Sequence, residues 1–144
     1  MFIEAIIADK GRDVVTIGID ASVADLVATL AEHNIGAVIV CDDAGKPKGI
    51  VSERDVVRQL ARSAADLMDR PVSTIMTRNV QSCALTDTID AAMGIMTRGR
   101  FRHLPVMDGG ELVGIVSIGD VVKRKIAVAE EEAGALRDYI SAGV

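Results

Sequence analysis

The sequence is poor in aromatic rings, thiols and imidazoles. Among 144 residues there is no tryptophan, and Phe2, Phe101 and Tyr139 are the only aromatic residues. A single-strand nucleic-acid binder that stacks bases on rings is therefore not expected. The net charge is −5, which leaves no broad basic face for DNA or RNA. Cys41 and Cys83 are the only thiols, and His33 and His103 the only imidazoles. Neither pair has the short spacing of a zinc site, and no bound metal is expected. Both thiols fall in apolar runs, VIVC and VQSC, and read as small buried hydrophobes rather than a disulfide. No apolar run approaches the roughly 18 residues of a membrane span. The start, MFIEAIIADKGRD, carries Glu4 and Asp9 and has no basic lead-in or small-residue cleavage site. A secretory signal is not expected there, and a cytoplasmic location is.

What is present is a soluble globular composition, 49% hydrophobic and 26% charged, written twice. GIVSERDVVR (Gly49–Arg58) returns as GIVSIGDVVK (Gly114–Lys123), with seven of ten positions identical. Upstream, Val14–Ile17 aligns with Val80–Cys83, and Ser22–Val40 with Thr88–Val106. The alignment shifts by one residue in a polar turn, where a surface loop absorbs it. Each copy reads β-α-β-β-α. In the first, the expected elements are a strand Val14–Ile17, a helix N-capped by Ser22, strands Ala37–Cys41 and Gly49–Val51, and a helix from Ser52 to about Arg62. His33 falls at the end of the first of these helices. In the second copy they are a strand Val80–Cys83, a helix from Thr88, strands His103–Met107 and Leu112–Val116, and a helix from Ser117. The fold class is α/β (α+β), with two pseudo-symmetric repeats packed sheet to sheet and a C-terminal helix. The expected units are residues 1–62, a linker 63–76 with short helical turns, residues 77–124, and a helical tail 125–144. The tail has an apolar set at Ile126, Leu136 and Ile140, which fits either a solvated helix or a dimer contact.

One 60-residue unit has too little core to be secure alone, so two copies should share theirs and leave equivalent clefts at their junction. The repeated GIVS-x-x-D puts a helix start directly after a buried strand, where free N–H groups and the helix dipole favour an anion. Asp55 and Asp120, one turn in, can each accept two hydrogen bonds from a vicinal diol such as ribose. Ser-x-x-acid is also a capping box, and Ser22-x-x-Asp25 shows it without the GIV strand. No G-x-G-x-x-G, no G-x-x-x-x-G-K-[ST] and no nucleophile–base set is present, so an enzyme is not expected.

The doubled unit, each copy ending in GIVS-x-x-D, together with KGRDVVTI, VSTIMTRNV and RHLPVMD, resembles a tandem pair of CBS domains, the Bateman module. The resemblance covers almost the whole chain. It implies a regulatory module that binds AMP, ADP, ATP, NAD(H) or S-adenosylmethionine, with AMP foremost, and that assembles as a homodimer and signals to a separate protein. It also implies two pockets. Pocket one would set Ile50, Ser52, Arg54 and Asp55 against Thr77, Asn79, Val80, Gln81, Phe101, Arg102 and His103. Pocket two would set Ile115, Ser117, Gly119 and Asp120 against Lys10, Asp13, Val14, Val15, Ile35, Gly36 and Ala37. Pocket one holds Arg54 and Arg102, a pair suited to phosphate. Pocket two has Gly119 and Gly36 at the matching places, with Lys10 as its main cation. A structural dimerisation module whose Ser–Asp pairs only cap helices is the alternative.

Overall fold

The computed structural model describes residues 1–143; Val144, the last residue of the expected tail, lies outside them. The first repeat contains β1 (Thr16–Gly18), α2 (Val23–His33), β2 (Ala37–Cys41), β3 (Pro47–Ser52) and α3 (Glu53–Arg62). The second contains β4 (Cys83–Ala84), α4 (Ile89–Gly99), β5 (His103–Asp108), β6 (Glu111–Ser117) and α5 (Ile118–Ala142). Two single-turn 3-10 helices, Leu67–Asp69 and Val72–Thr74, fill the linker. Ahead of them all is α1 (Ile3–Lys10), which the sequence pattern did not announce.

Each repeat builds one three-stranded sheet, β1-β2-β3 and β4-β5-β6. The first pair in each is parallel and the second antiparallel. The antiparallel register sets Ala37 opposite Ser52 and His103 opposite Ser117. It therefore carries the start of one strand to the start of the helix that follows its neighbour. Two expected strands are displaced toward the C-terminus: Val14–Ile17 becomes Thr16–Gly18, and Val80–Cys83 becomes Cys83–Ala84. Only Thr16–Gly18 and Cys83–Ala84 pair with the central strands, although β2 and β5 begin early enough, at Ala37 and His103, to face the residues before them. Val15 instead packs against the first core.

The cores are exchanged. Ile3, Ile6 and Ile7 of α1 lie at the front of the chain, yet they pack into the second repeat with Cys83, Ile89, Met96, Leu104 and Val116. Leu67, Val72, Ile75 and Met76 lead into the second repeat, yet they pack into the first with Leu26, Val38 and Val51. Each half thus completes its core with the segment that precedes the other. Backbone bonds fix the exchange: Ile3 N–H donates to Asp87 O and Val72 N–H to Ala21 O. Both cysteines are buried and unpaired, and burial pushes the Cys83 thiol up to about 11, as expected of inert packing residues. The tail is not a separate element: the helix after Ser117 runs unbroken for 25 residues.

Candidate functional site

A cavity of about 310 Å³ opens where the repeats meet, within the size range of small-ligand sites. The first repeat supplies Ile50, Ser52, Glu53, Arg54, Asp55 and Arg58 from the β3–α3 junction, with Gly36 and Ala37 from the start of β2. The other wall is Thr77 and the run Gly99, Arg100, Phe101, Arg102 and His103. Four guanidinium groups thus face two carboxylates, and the excess of positive charge suits an anion.

The local sequence explains this wall. Arg100 ends α4 in the left-handed conformation, φ 57°, where Asn34 ends α2 with φ 52°. Asparagine tolerates that geometry, whereas a side chain such as arginine holds it at a cost on the order of 1 kcal/mol. Gly99 precedes it, and a Cβ there would fall 2.1 Å from the Phe101 ring. Only glycine lets Phe101 fold back over the helix end. Ile50 is pinned by a reciprocal backbone pair with Thr77, at 3.0 and 2.9 Å.

The capping reading of GIVS-x-x-D is correct at both copies. Asp55 Oδ2 accepts from Ser52 N–H at 2.8 Å and from Ser52 Oγ at 3.0 Å. Asp120 Oδ2 accepts from Ser117 N–H at 2.9 Å. Asp25 does the same for Ser22. The helix starts are also less open than the motif implies. Glu53 N–H donates to Gly36 O, Asp55 N–H to Ser52 Oγ, and Ile118 N–H to Arg102 O. The register that sets Ala37 opposite Ser52 delivers the Gly36 carbonyl, so an anion here would be held mainly by guanidinium groups. Asp55 keeps its second oxygen, Oδ1, out of these bonds, so capping leaves it able to accept from a diol.

Of the residues expected in pocket one, Ile50, Ser52, Arg54, Asp55, Thr77, Phe101, Arg102 and His103 line this cavity. Asn79 and Gln81 are exposed outside it, and Val80 lines a separate groove with Ile39 and Pro105. Arg58 and Arg100 complete the cavity without having been anticipated. Arg58 was legible, because it lies one helical turn beyond Arg54 on the same face.

Pocket two does not form as expected. Gly36 and Ala37 belong to the first cavity, because the β2–β3 hairpin holds them beside their own Ser52. Gly36 also abuts the His103 ring: a Cβ at Gly36 would fall 3.5 Å from His103 Cε1. Asp13 is exposed, while Val15 and Ile35 pack against the first core. Val14, Ile115, Ser117 and Gly119 do not line the smaller cavity of about 230 Å³ that contains Lys10 and Asp120. There Lys10 Nζ donates to Asp120 Oδ2 and to Ile115 O, at 2.7 and 2.9 Å. Burial works to raise the Asp120 pKa, but the bonds from Lys10 and Ser117 prevail and hold it below the usual carboxylate value. His103, between the two sites, is pushed down by burial and by Lys10, against the opposing charges of Asp120 and Glu53.

The CBS domain profile matches residues 7–62 and 72–127. The chain belongs to the CBS-domain family. It is a CBS pair similar to a crystal structure of a CBS-domain containing protein from Agrobacterium tumefaciens. That protein is 48% identical over 86% of this chain and 92% of its own, with a TM-score of 0.84. A CBS domain protein from Pyrobaculum aerophilum, solved in complex with AMP, is 27% identical over 83% of this chain and 89% of its own, with a TM-score of 0.74. The mitochondrial CBS domain-containing protein CBSX3 of Arabidopsis thaliana is 34% identical over 86% of this chain. The chain spans 65% and 62% of the length of two curated relatives that it matches. Among the described residues, no helix is long and apolar enough to cross a membrane, and no group of three ligating side chains is poised for a metal.

Proposed function

We propose that this CBS pair is a regulatory module that binds an adenine nucleotide, AMP foremost, in the cavity between its repeats, and signals the ligand to a separate protein. The observation that carries the reading is the convergence of Arg54, Arg58, Arg100 and Arg102 on a cavity that also holds Asp55. Guanidinium groups hold phosphate through charge-assisted, often bidentate bonds. Asp55 Oδ1 serves the ribose diol, while Ile50, Ala37 and Phe101 offer apolar surface to the base. The AMP found in the Pyrobaculum relative supports the ligand class. ADP, ATP, NAD(H) and S-adenosylmethionine share the adenosine and are the competing ligands. The second site, with its aspartate tied to Lys10, is the weaker one.

The module acts by binding rather than by catalysis. A ligand touching both repeats alters their relative angle only if it binds one arrangement more tightly than another. Because the cores are exchanged, such a change also strains the linker and α1.

Isothermal calorimetry with AMP tests the reading. Wild type binds with one dominant site per chain. Arg54→Ala and Asp55→Ala each weaken binding about tenfold or more, which corresponds to the loss of one charge-assisted hydrogen bond. Unchanged affinity in both variants refutes the assignment. The competing reading, an assembly module without ligand, rests on the capping bonds of Asp55 and Asp120. It requires that no adenosine compound raise the melting temperature, whereas a ligand at 100 times its dissociation constant adds about 2.7 kcal/mol.

A further inference from the structure

The distal part of α5 carries an unpartnered apolar seam. Val122, Ile126, Leu136 and Ile140 are 47%, 55%, 60% and 59% exposed, and Ala129 and Ala133 between them are exposed as well. The six residues recur at alternating steps of four and three along the helix, which is a heptad repeat sustained over nearly three heptads. This seam is distinct from the side of α5 that buries Val121 against the second repeat. Assigning Ile126, Ala133 and Ile140 to position a leaves Val122, Ala129 and Leu136 at d. Isoleucine fills two of the three a positions and leucine one of the three d positions, around a middle layer of alanine; isoleucine at a with leucine at d favours two parallel strands.

The flanking charges choose the occupant and its direction. Positions g hold Lys125 and Glu132, and positions e hold Lys123, Glu130 and Arg137. In a parallel, in-register pair each g side chain meets the e side chain of the next heptad on the other helix. Lys125 then meets Glu130, and Glu132 meets Arg137, and symmetry makes each pairing twice. In a fully overlapped antiparallel pair e meets e and g meets g. That would set Glu130 against Glu130, Glu132 against Glu132 and Lys123 against Arg137. Every one of those is a like-charge contact. Among the described residues, Glu130, Glu132 and Arg137 form no salt bridge within the chain, while Lys125 is held by Asp90. Gly134 falls at an outward position, and it weakens a helix that has no packing partner there.

We propose that residues 122–140 of α5 pair with the same residues of a second copy of this chain in a parallel, in-register two-helix coiled coil. The inference stands apart from nucleotide binding, since the seam lies outside both cavities' proposed ligand contacts.

Cysteine cross-linking of the full chain tests it. Cys41 and Cys83 are buried and leave a low background. Leu136→Cys sits at the self-facing position d, and Asp138→Cys sits on the outer face. On mild oxidation Leu136→Cys is expected to give a covalent dimer on non-reducing gels, and Asp138→Cys to remain monomeric. In sedimentation at low salt, Glu132→Lys weakens self-association about tenfold by setting like charges together. The double variant Glu132→Lys/Arg137→Glu recovers it. Both positions are exposed, and circular dichroism checks that each variant keeps its helix content. The proposal is overturned by equal cross-linking at 136 and 138, by none at 136, or by a cross-link that needs a mixture of Leu136→Cys and Ile126→Cys chains, which reports an antiparallel pair. A double variant no better than Glu132→Lys also overturns it.

Discussion

Lys10 Nζ lies 2.7 Å from Asp120 Oδ2, so the end of α1 closes the second repeat's Ser–Asp site with a cation of the chain itself. Asp55 has no such cation among the described residues. The ion pair is about one-third exposed on the lysine side, and a pair of that kind contributes at most about 1 kcal/mol. The depressed Asp120 pKa fixes its pH signature. A carboxylate whose folded pKa is lowered contributes stability that is present above its unfolded pKa of about 4 and lost as pH falls through the folded value. Lys10→Ala is expected to lower stability by less than about 1 kcal/mol at neutral pH and to flatten the acid limb below about pH 4. AMP affinity at the first cavity, which Lys10 does not line, is expected to change far less than in Arg54→Ala. Urea melts across the acid range, with calorimetry at neutral pH, check all three.

His103 shows the opposite ionic character in the same neighbourhood. Its folded pKa is lowered, by burial first and by Lys10 second, so folding favours the neutral ring. The unfolded chain then binds more protons between the folded and unfolded pKa values. Stability is complete above about pH 6.5 and declines as pH falls toward the folded value. A phosphate held by Arg102 and Arg54 beside the ring would favour the imidazolium and raise that pKa. Proton NMR follows this directly, because the chain has only two histidines. The His103 ring is expected to titrate below the ordinary value in the free protein and higher with AMP. AMP binding should strengthen as pH falls through that interval. An unmoved His103 titration on saturation with AMP places the phosphate elsewhere.

The exchange of leading segments predicts long-range effects from short changes. Ile6 is 5% exposed and Val72 fully buried, each in the core of the repeat that it does not precede. Ile6→Ala therefore loosens the second repeat and Val72→Ala the first. Truncating a buried isoleucine to alanine costs about 2–5 kcal/mol, a loss for the transferred methyl groups plus the cavity left behind. Hydrogen exchange locates the damage. Protection in Ile6→Ala should fall in β5 and β6, which begin at His103 and Glu111, far along the sequence, and be retained in β2.

The contrast shows what the sequence could reveal. The repeat was legible because seven of ten identities report one buried strand and one capped helix twice over. The capping boxes were legible because Ser and Asp three apart act within one turn. The helix α1 was not, because IEAIIADK lacks a capping serine or aspartate at its start: Phe2 occupies the N-cap without a side-chain bond. The placement of Gly36 and Ala37 was not legible either. Which repeat's Ser they accompany depends on hairpin register, and the pseudo-symmetry offers both choices. The guanidinium wall was half visible. Arg54 and Arg102 stand in the motifs, whereas Arg100 reaches the cavity only because α4 ends there in a left-handed turn.

The two motif glycines give the last prediction, since they are identical in sequence but not in surroundings. A Cβ at Gly49 would lie 2.7 Å from the Thr77 carbonyl oxygen and 2.7 Å from Met76 Sδ. The Thr77 carbonyl accepts from Ile50 N–H, so it is part of the backbone pairing that holds the linker to β3 and cannot yield without breaking it. A Cβ at Gly114 would lie 2.6 Å from Ile7 Cδ1, the far end of a side chain that can change rotamer. Overpacking a filled core costs about 1–3 kcal/mol. Gly49→Ala is expected at the upper end or beyond, and Gly114→Ala at the lower end. Gly49→Ala should also weaken AMP binding, because Ile50 and Thr77 form one edge of the cavity. Gly114→Ala should leave binding unchanged. Thermal melts and calorimetry on the two variants side by side make the comparison, and equal losses in both would show that the linker yields as easily as an isoleucine rotamer.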